Sequence, residues 1–195
     1  MAAMEDLSIP LDAVKARARF SIEDIPDIWE MDARVNWLVD GVIPEGAITL
    51  VSGDSGVGKS TFVLALAGAV ANGQPFLGLN SIRRRVLIMD KENGLPVTRE
   101  RIGRYVVRTD QLTYWGTWVD PPPPGARDGS LRAYASQHKP LIVFDSLVAF
   151  HTGSEQDATE KRRFMQGFRD LASLGATVIV ICHAGKSENS KQYPG

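Results

Sequence analysis

Short apolar runs recur along the chain, separated by longer stretches in which apolar and polar residues alternate with a wider period. Ala47–Val51, Val86–Met89, Leu141–Phe144 and Thr177–Cys182 are nearly unbroken apolar blocks of strand length. Such blocks are the signature of strands buried on both faces. Between them, Ser60–Ala71 is rich in Ala, Leu and Val and stops at Asn72-Gly73. Its apolar positions lie nearly all round the helix, which predicts a buried helix. Val97–Val107, Leu131–Gln137 and Ala158–Leu174 read as further helices. In the last of these, Phe164, Phe168 and Leu171 share one face, and Gly175 supplies the stop. Leu112–Val119, rich in aromatic and β-branched residues, reads as another strand. Pro121–Pro124 is an extended loop that cannot join a ladder. The alternation predicts an α/β fold with a mostly parallel sheet.

Residues 1–34 break this rhythm. They mix charge with scattered apolar residues, and Pro10 and Pro26 punctuate them. They read as an N-terminal extension that is partly mobile or packs on a neighbour, with a short helix over Asp12–Phe20. The domain is expected to cover residues 35–195, starting with Trp37, Leu38, Val39, Val42 and Ile43 before the turn Pro44-Glu45-Gly46. A chain of 195 residues suits one domain with a proper core. The net charge of -1 gives no electrostatic argument for a nucleic-acid partner. The single cysteine, Cys182, excludes a disulfide framework within one chain and fits a reducing, cytoplasmic setting. It is expected to be a small buried residue. Met1–Pro10 carries Glu5 and Asp6 and does not read as a signal peptide, and no apolar run is long enough for a membrane span.

Chemistry enters at Gly53-Asp54-Ser55-Gly56-Val57-Gly58-Lys59-Ser60, followed by Thr61. This matches the phosphate-loop pattern G-x-x-x-x-G-K-S/T, and it lies between an expected strand and an expected helix. Glycines let the backbone curl so that several N–H groups point at phosphate oxygens. The helix adds its positive N-terminal end. Lys59 would neutralise the β- and γ-phosphates, Ser60 would ligate Mg²⁺, and Thr61 would sit near the α-phosphate. The plainer alternative is a flexible Gly/Ser turn with a solvated lysine.

Three strand ends carry further candidates. Leu141–Phe144 ends in Asp145, which has the form of the acid that holds a Mg²⁺ shell; otherwise it caps the next turn. Val86–Met89 ends in Asp90-Lys91-Glu92-Asn93. If the strand lasts that far, Asp90 and Glu92 share a direction, and one carboxylate could polarise a water beside the γ-phosphate; otherwise this is a solvated acidic turn. The last strand ends in Cys182-His183, and that histidine either touches the γ-phosphate or is structural. Trp115 and Trp118 could stack on bases, or belong to the core or an edge strand. Arg83-Arg84-Arg85 reads as a solvated turn.

Gly53–Ser60, Leu87–Asn93, Leu141–His151 and Val180–His183 occur in the order found in RecA-like P-loop ATPases. The chain resembles the RepA branch of hexameric plasmid replicative helicases, whose ATPase domain is of the AAA type. Val35–Pro44 resembles the usual lead-in, and the likeness covers about residues 35–190. The resemblance implies a three-layer RecA-like core that binds ATP with Mg²⁺. It implies Glu92 as the catalytic glutamate and places the His183 strand between those of the P-loop and Asp145, with His183 as a sensor. It implies a ring-forming homo-oligomer, possibly hexameric in such families, with an arginine finger supplied by a neighbour. It also implies single-stranded DNA as a partner in replication or recombination. Related domains continue beyond the last strand, so the sheet is expected to be truncated at its C-terminus, with an unpaired edge beside the P-loop strand. No arginine here can be assigned as the finger. The alternatives are a nucleotide-binding switch with negligible turnover and a small-molecule kinase, for which no phosphate-clamping lid is visible.

Overall fold

The computed structural model describes residues 22–31, 34–151 and 158–183, with side chains from residue 162 onward in the last stretch. The chain divides into two compact units, one ending at Arg34 and one beginning at Val35. In the first, Ile22–Asp24 and Ile28–Glu30 form single 3₁₀ turns, and the Asp27 side chain caps the second by accepting from Trp29 N at 3.0 Å. The Asp12–Phe20 helix expected from sequence lies outside the described residues.

The second unit opens with a short antiparallel pair, β1 (Trp37–Val39) and β2 (Ile43–Pro44). Then follow β3 (Ile48–Gly53), α1 (Lys59–Asn72), β4 (Val86–Asp90), α2 (Leu95–Tyr105), β5 (Leu112–Gly116), α3 (Gly129–His138), β6 (Leu141–Asp145), the single turn α4 (Leu147–Phe150), α5 (Ala158–Ser173) and β7 (Thr177–His183). β3 to β7 make one parallel sheet in the order β3-β7-β6-β4-β5. The last strand in sequence thus inserts between β3 and β6, and β3 forms an edge among the described residues.

The sheet is the middle of three layers. On one face Val63, Leu66, Ala67 and Val70 of α1 pack on Val86, Ile88, Val143, Ile179 and Ile181, and Ile102 of α2 joins them. On the other face Leu131 and Ala135 of α3 and Phe168 and Leu171 of α5 pack on Leu87, Met89, Ile142, Phe144, Val178 and Val180. Successive strand residues therefore feed opposite cores, which is why β4 and β6 are apolar up to their terminal aspartates. Each such buried aliphatic or aromatic side chain contributes roughly 1.5–3 kcal/mol. The stops also follow the local chemistry. Gly73 ends α1 at φ 64°, with its N–H bonding back to Val70 O, and Gly175 follows α5 at φ 94°. Asp128 caps α3 through Ser130 N and Leu131 N.

Three expectations are corrected here. The strand read over Leu112–Val119 ends at Gly116, because the chain turns and lays Trp118 against Tyr114, with ring centroids 5.9 Å apart and 18° between planes. β4 ends at Asp90, so Asp90 and Glu92 are not related by strand alternation. Cys182 is half-buried, and burial pushes its thiol pKa up.

Candidate active site

Parallel register lines up the strand ends. Gly53 of β3 is opposite His183 of β7, and Asp145 of β6 is opposite Asp90 of β4. The chemistry-bearing residues therefore stand along the C-terminal edge of the sheet, where open α/β sheets bind ligands. Between β3 and α1 the chain loops through Asp54–Gly58. Gly56 and Gly58 adopt φ of 83° and 94°, a region in which a side chain is strained, and both have open space where a Cβ would stand. The curl leaves the head of α1 facing a cavity of about 340 Å³. Ser55, Gly56, Gly58, Lys59, Ser60 and Thr61 line one side, and Glu92, Asn93, Arg101 and His183 the other. Gly53 ends the strand below it, and the exposed Val57 points away from the core.

Lys59 is buried at 8% exposure, yet its ammonium is well supplied with partners. It donates to Gly53 O at 2.8 Å and Asp54 O at 2.7 Å, and stands 3.4 Å from His183 Nδ1. An ammonium has three N–H bonds and no lone pair, so Nδ1 is the acceptor and Nε2 carries the imidazole proton. Nε2 then faces Glu92 Oε1 at 3.6 Å. The Ser146 hydroxyl donates to the same Glu92 oxygen. Lys59, His183, Glu92 and Ser146 thus stand in a polar row across three strand ends, hydrogen-bonded at Lys59–His183 and Ser146–Glu92 and separated by 3.6 Å between His183 and Glu92.

Asp90 has a different task. It is fully buried. Its Oδ1 accepts from Glu92 N at 2.7 Å and Asn93 N at 3.0 Å, and its Oδ2 from Asn93 Nδ2 at 2.9 Å and Tyr114 Oη at 2.6 Å. Asp90 therefore clamps the bend that carries Glu92 into the cavity. Burial, and then the Asp90 hydrogen bond, raise the Tyr114 phenol pKa. Asn93 Oδ1 in turn accepts from Arg101 Nη1 at 3.2 Å, holding that guanidinium at the cavity wall.

Asp145 is 4% exposed, and burial pushes its pKa up to about 6, opposed by hydrogen bonding with Ser60 and the charge of Arg101. Its Oδ1 is buried with no hydrogen-bond partner. Beside it lies a void of about 10 Å³, lined in part by Ser60 and Asp145. An orphaned carboxylate oxygen next to a hydroxyl is a hard-oxygen donor pair that fits Mg²⁺, which takes one or two protein oxygens and completes its shell with phosphate and water. Among the described residues no cluster of three or more acidic, His or Cys side chains offers an all-protein cage.

A family model described as "AAA domain" matches residues 16–189. The chain belongs to the AAA domain family. This AAA domain is 32% identical over 169 residues to a DNA repair protein RadA from Halalkalibacterium halodurans, across 84% of the chain. It spans about a third, 34%, of that relative's length. The flagellar accessory protein FlaH of Methanocaldococcus jannaschii has the same fold, with TM-score 0.51 and 18% identity over 76% of this chain and 66% of that one. So does a KaiC-like protein of Pyrococcus horikoshii OT3, with TM-score 0.51 and 19% identity over 77% and 69%. Together these make the fold that of a RecA-like P-loop ATPase domain.

Arg101, Ser146, Asn93 and Tyr114 were not singled out by sequence, and Asp90 was read as a candidate beside the γ-phosphate, not as a clamp. In the run Arg99-Glu100-Arg101 nothing distinguishes the inward-facing arginine from its neighbours. Only the D-S pair after an apolar strand gives Ser146 a local signal. Arg83 and Arg84 pair with Asp110 at 3.8 Å and Glu45 at 2.5 Å, away from the cavity. Trp115 packs against the core, and its Nε1 donates to Pro121 O at 2.9 Å. No helix among the described residues is long and apolar enough to cross a membrane.

Proposed function

We propose that this AAA domain binds ATP with Mg²⁺ in the P-loop cavity and hydrolyses it, acting as a DNA-linked motor in replication or recombination. The observation that carries the reading is the convergence of Glu92, Lys59 and His183 on one cavity with the P-loop. The backbone over Gly53–Thr61 would receive the phosphates, with Lys59 and Arg101 supplying positive charge to them. Ser60 and Asp145 would hold Mg²⁺, which when bound offsets the charge that builds on the phosphate oxygens. Glu92 would accept a proton from the attacking water.

His183 has a specific part in this reading. All three Lys59 donors are engaged, the contact to His183 being the longest at 3.4 Å. For the ammonium to meet a phosphate, one contact must be released, and the weakest goes first. Phosphate arrival at Lys59 would thus be felt at His183 and, through Nε2, at Glu92. The DNA link is supported by the similarity to a DNA repair protein. Assembly as a ring and a cytoplasmic setting rest on resemblance and on the single cysteine, with residues 35–195 as the ATPase domain and 1–34 as its extension.

The test is steady-state Mg²⁺–ATP hydrolysis with and without single-stranded DNA, for the parent and Lys59→Ala. DNA-stimulated turnover that Lys59→Ala abolishes supports the motor reading. Turnover indifferent to DNA removes the DNA link. ATP binding without turnover leaves a nucleotide-binding switch.

A further inference from the structure

Ser146 sits at the N-cap of α4, where a serine ordinarily accepts from a backbone N–H of the first turn. Here it makes no such bond. The residue is completely buried, and its hydroxyl is turned instead to Glu92 Oε1. A carboxylate can only accept, so Ser146 is the donor. The bond joins residues 54 apart in sequence. A buried serine that forgoes its local cap in favour of a distant carboxylate holds that carboxylate in place.

Glu92 needs such a hold. It lies on the bend after β4, outside helix and strand, with its side chain 36% exposed. Asp90 fixes its backbone N–H, but that leaves the side-chain torsions free. His183 Nε2, at 3.6 Å, is beyond hydrogen-bond range. Ser146 therefore supplies the hydrogen bond that fixes the carboxylate itself. It engages Oε1 and leaves Oε2 for another donor.

We propose that Ser146 is a positioning residue that aims Glu92 Oε2 at the attacking water. This rests on the reading of Glu92 as the group that polarises that water. In the step concerned, water loses a proton to Oε2 while its oxygen bonds to the terminal phosphorus. The bond from that phosphorus to the bridging oxygen breaks, and ADP leaves with the electron pair. Ser146 keeps its own proton throughout.

The experiment compares the full chain with Ser146→Ala, Ser146→Thr and Glu92→Gln. Three quantities are read: ATP affinity by titration calorimetry, kcat for ATP hydrolysis, and the thermal midpoint. A misplacement of the base on the order of 1 Å costs up to about 100-fold. Ser146→Ala is thus expected to lower kcat about 10- to 100-fold while ATP affinity stays within about twofold. Ser146→Thr, which keeps the hydroxyl, is expected to recover most of the rate. Ser146→Ala turning over as fast as the parent, while Glu92→Gln is slow, overturns the positioning role alone. So does a fall in kcat that merely tracks lost affinity or a lowered thermal midpoint, or that Ser146→Thr shares in full. A parent without turnover, or Glu92→Gln as fast as the parent, overturns the Glu92 reading and this role with it.

Discussion

Replacing Asp90 by alanine should destabilise the domain and slow it together, through one bend. Four donors converge on this buried carboxylate: two backbone N–H groups, the Asn93 amide and the Tyr114 hydroxyl. The three on the bend can turn to water once the acceptor is gone, so each loses roughly 1 kcal/mol, the usual net worth of a hydrogen bond. The Tyr114 hydroxyl lies deeper against β4 and loses about 1–2 kcal/mol. Asp90→Ala is thus expected to lose about 4 kcal/mol, a shift of about 8–16 °C in thermal midpoint for a domain of this size. Tyr114→Phe removes one bond and should lose about 1 kcal/mol. The assay is equilibrium urea unfolding followed by fluorescence of the four tryptophans, with an unchanged denaturant slope as the check that only stability moved. With its bend released, Glu92 loses its aim, so kcat should fall about 10- to 100-fold in the same variant. A loss below about 1 kcal/mol, or additive effects of Asp90→Ala and Tyr114→Phe, would refute the clamp, since residues sharing a bond must couple.

Three further outcomes can be checked. Asp145 has its pKa raised by burial to about 6, so between about pH 4 and 6 the folded state binds more protons than the unfolded one and stability falls as pH rises. In the metal-free protein the stability of Asp145→Asn relative to the parent should therefore increase by about 2 kcal/mol from pH 4 to 7, read by urea unfolding at each pH. Gly116→Ala places a methyl 2.2 Å from the Trp118 ring, which must leave its stack on Tyr114; a loss of about 1–3 kcal/mol and a changed near-UV dichroism are expected. Phe168→Ala removes a fully buried ring packed edge-on against Phe144 at 4.8 Å and Phe164 at 5.0 Å, and should lose about 3–5 kcal/mol in the same unfolding assay.

Strands β3, β4, β6 and β7 were legible because an apolar run marks a buried strand, and their ends fall within one or two residues of the reading, whereas β5 stops three residues short of it. The β1–β2 pair was not, since strands of three and two residues, the second ending in Pro44, carry too little pattern. The P-loop was legible because its backbone curl demands glycine at Gly56 and Gly58. Alternation offered Asp90 and Glu92 without choosing between them, and the resemblance pointed to Glu92. Strand alternation stops at Asp90, and it is the Asp90 clamp that turns Glu92 into the cavity. Ser146 depends on a side-chain contact with a residue 54 positions away, and Arg101 on one with the clamped bend, neither of which periodicity encodes.

The central claim is that Glu92 drives hydrolysis of an ATP held by the P-loop. Its most direct test is a single-turnover experiment with limiting ATP and Mg²⁺, comparing the parent with Glu92→Gln at concentrations where both bind. The account predicts equal ATP occupancy and conversion to ADP by the parent alone. Equal conversion by both proteins, or none by the parent at full occupancy, would contradict it.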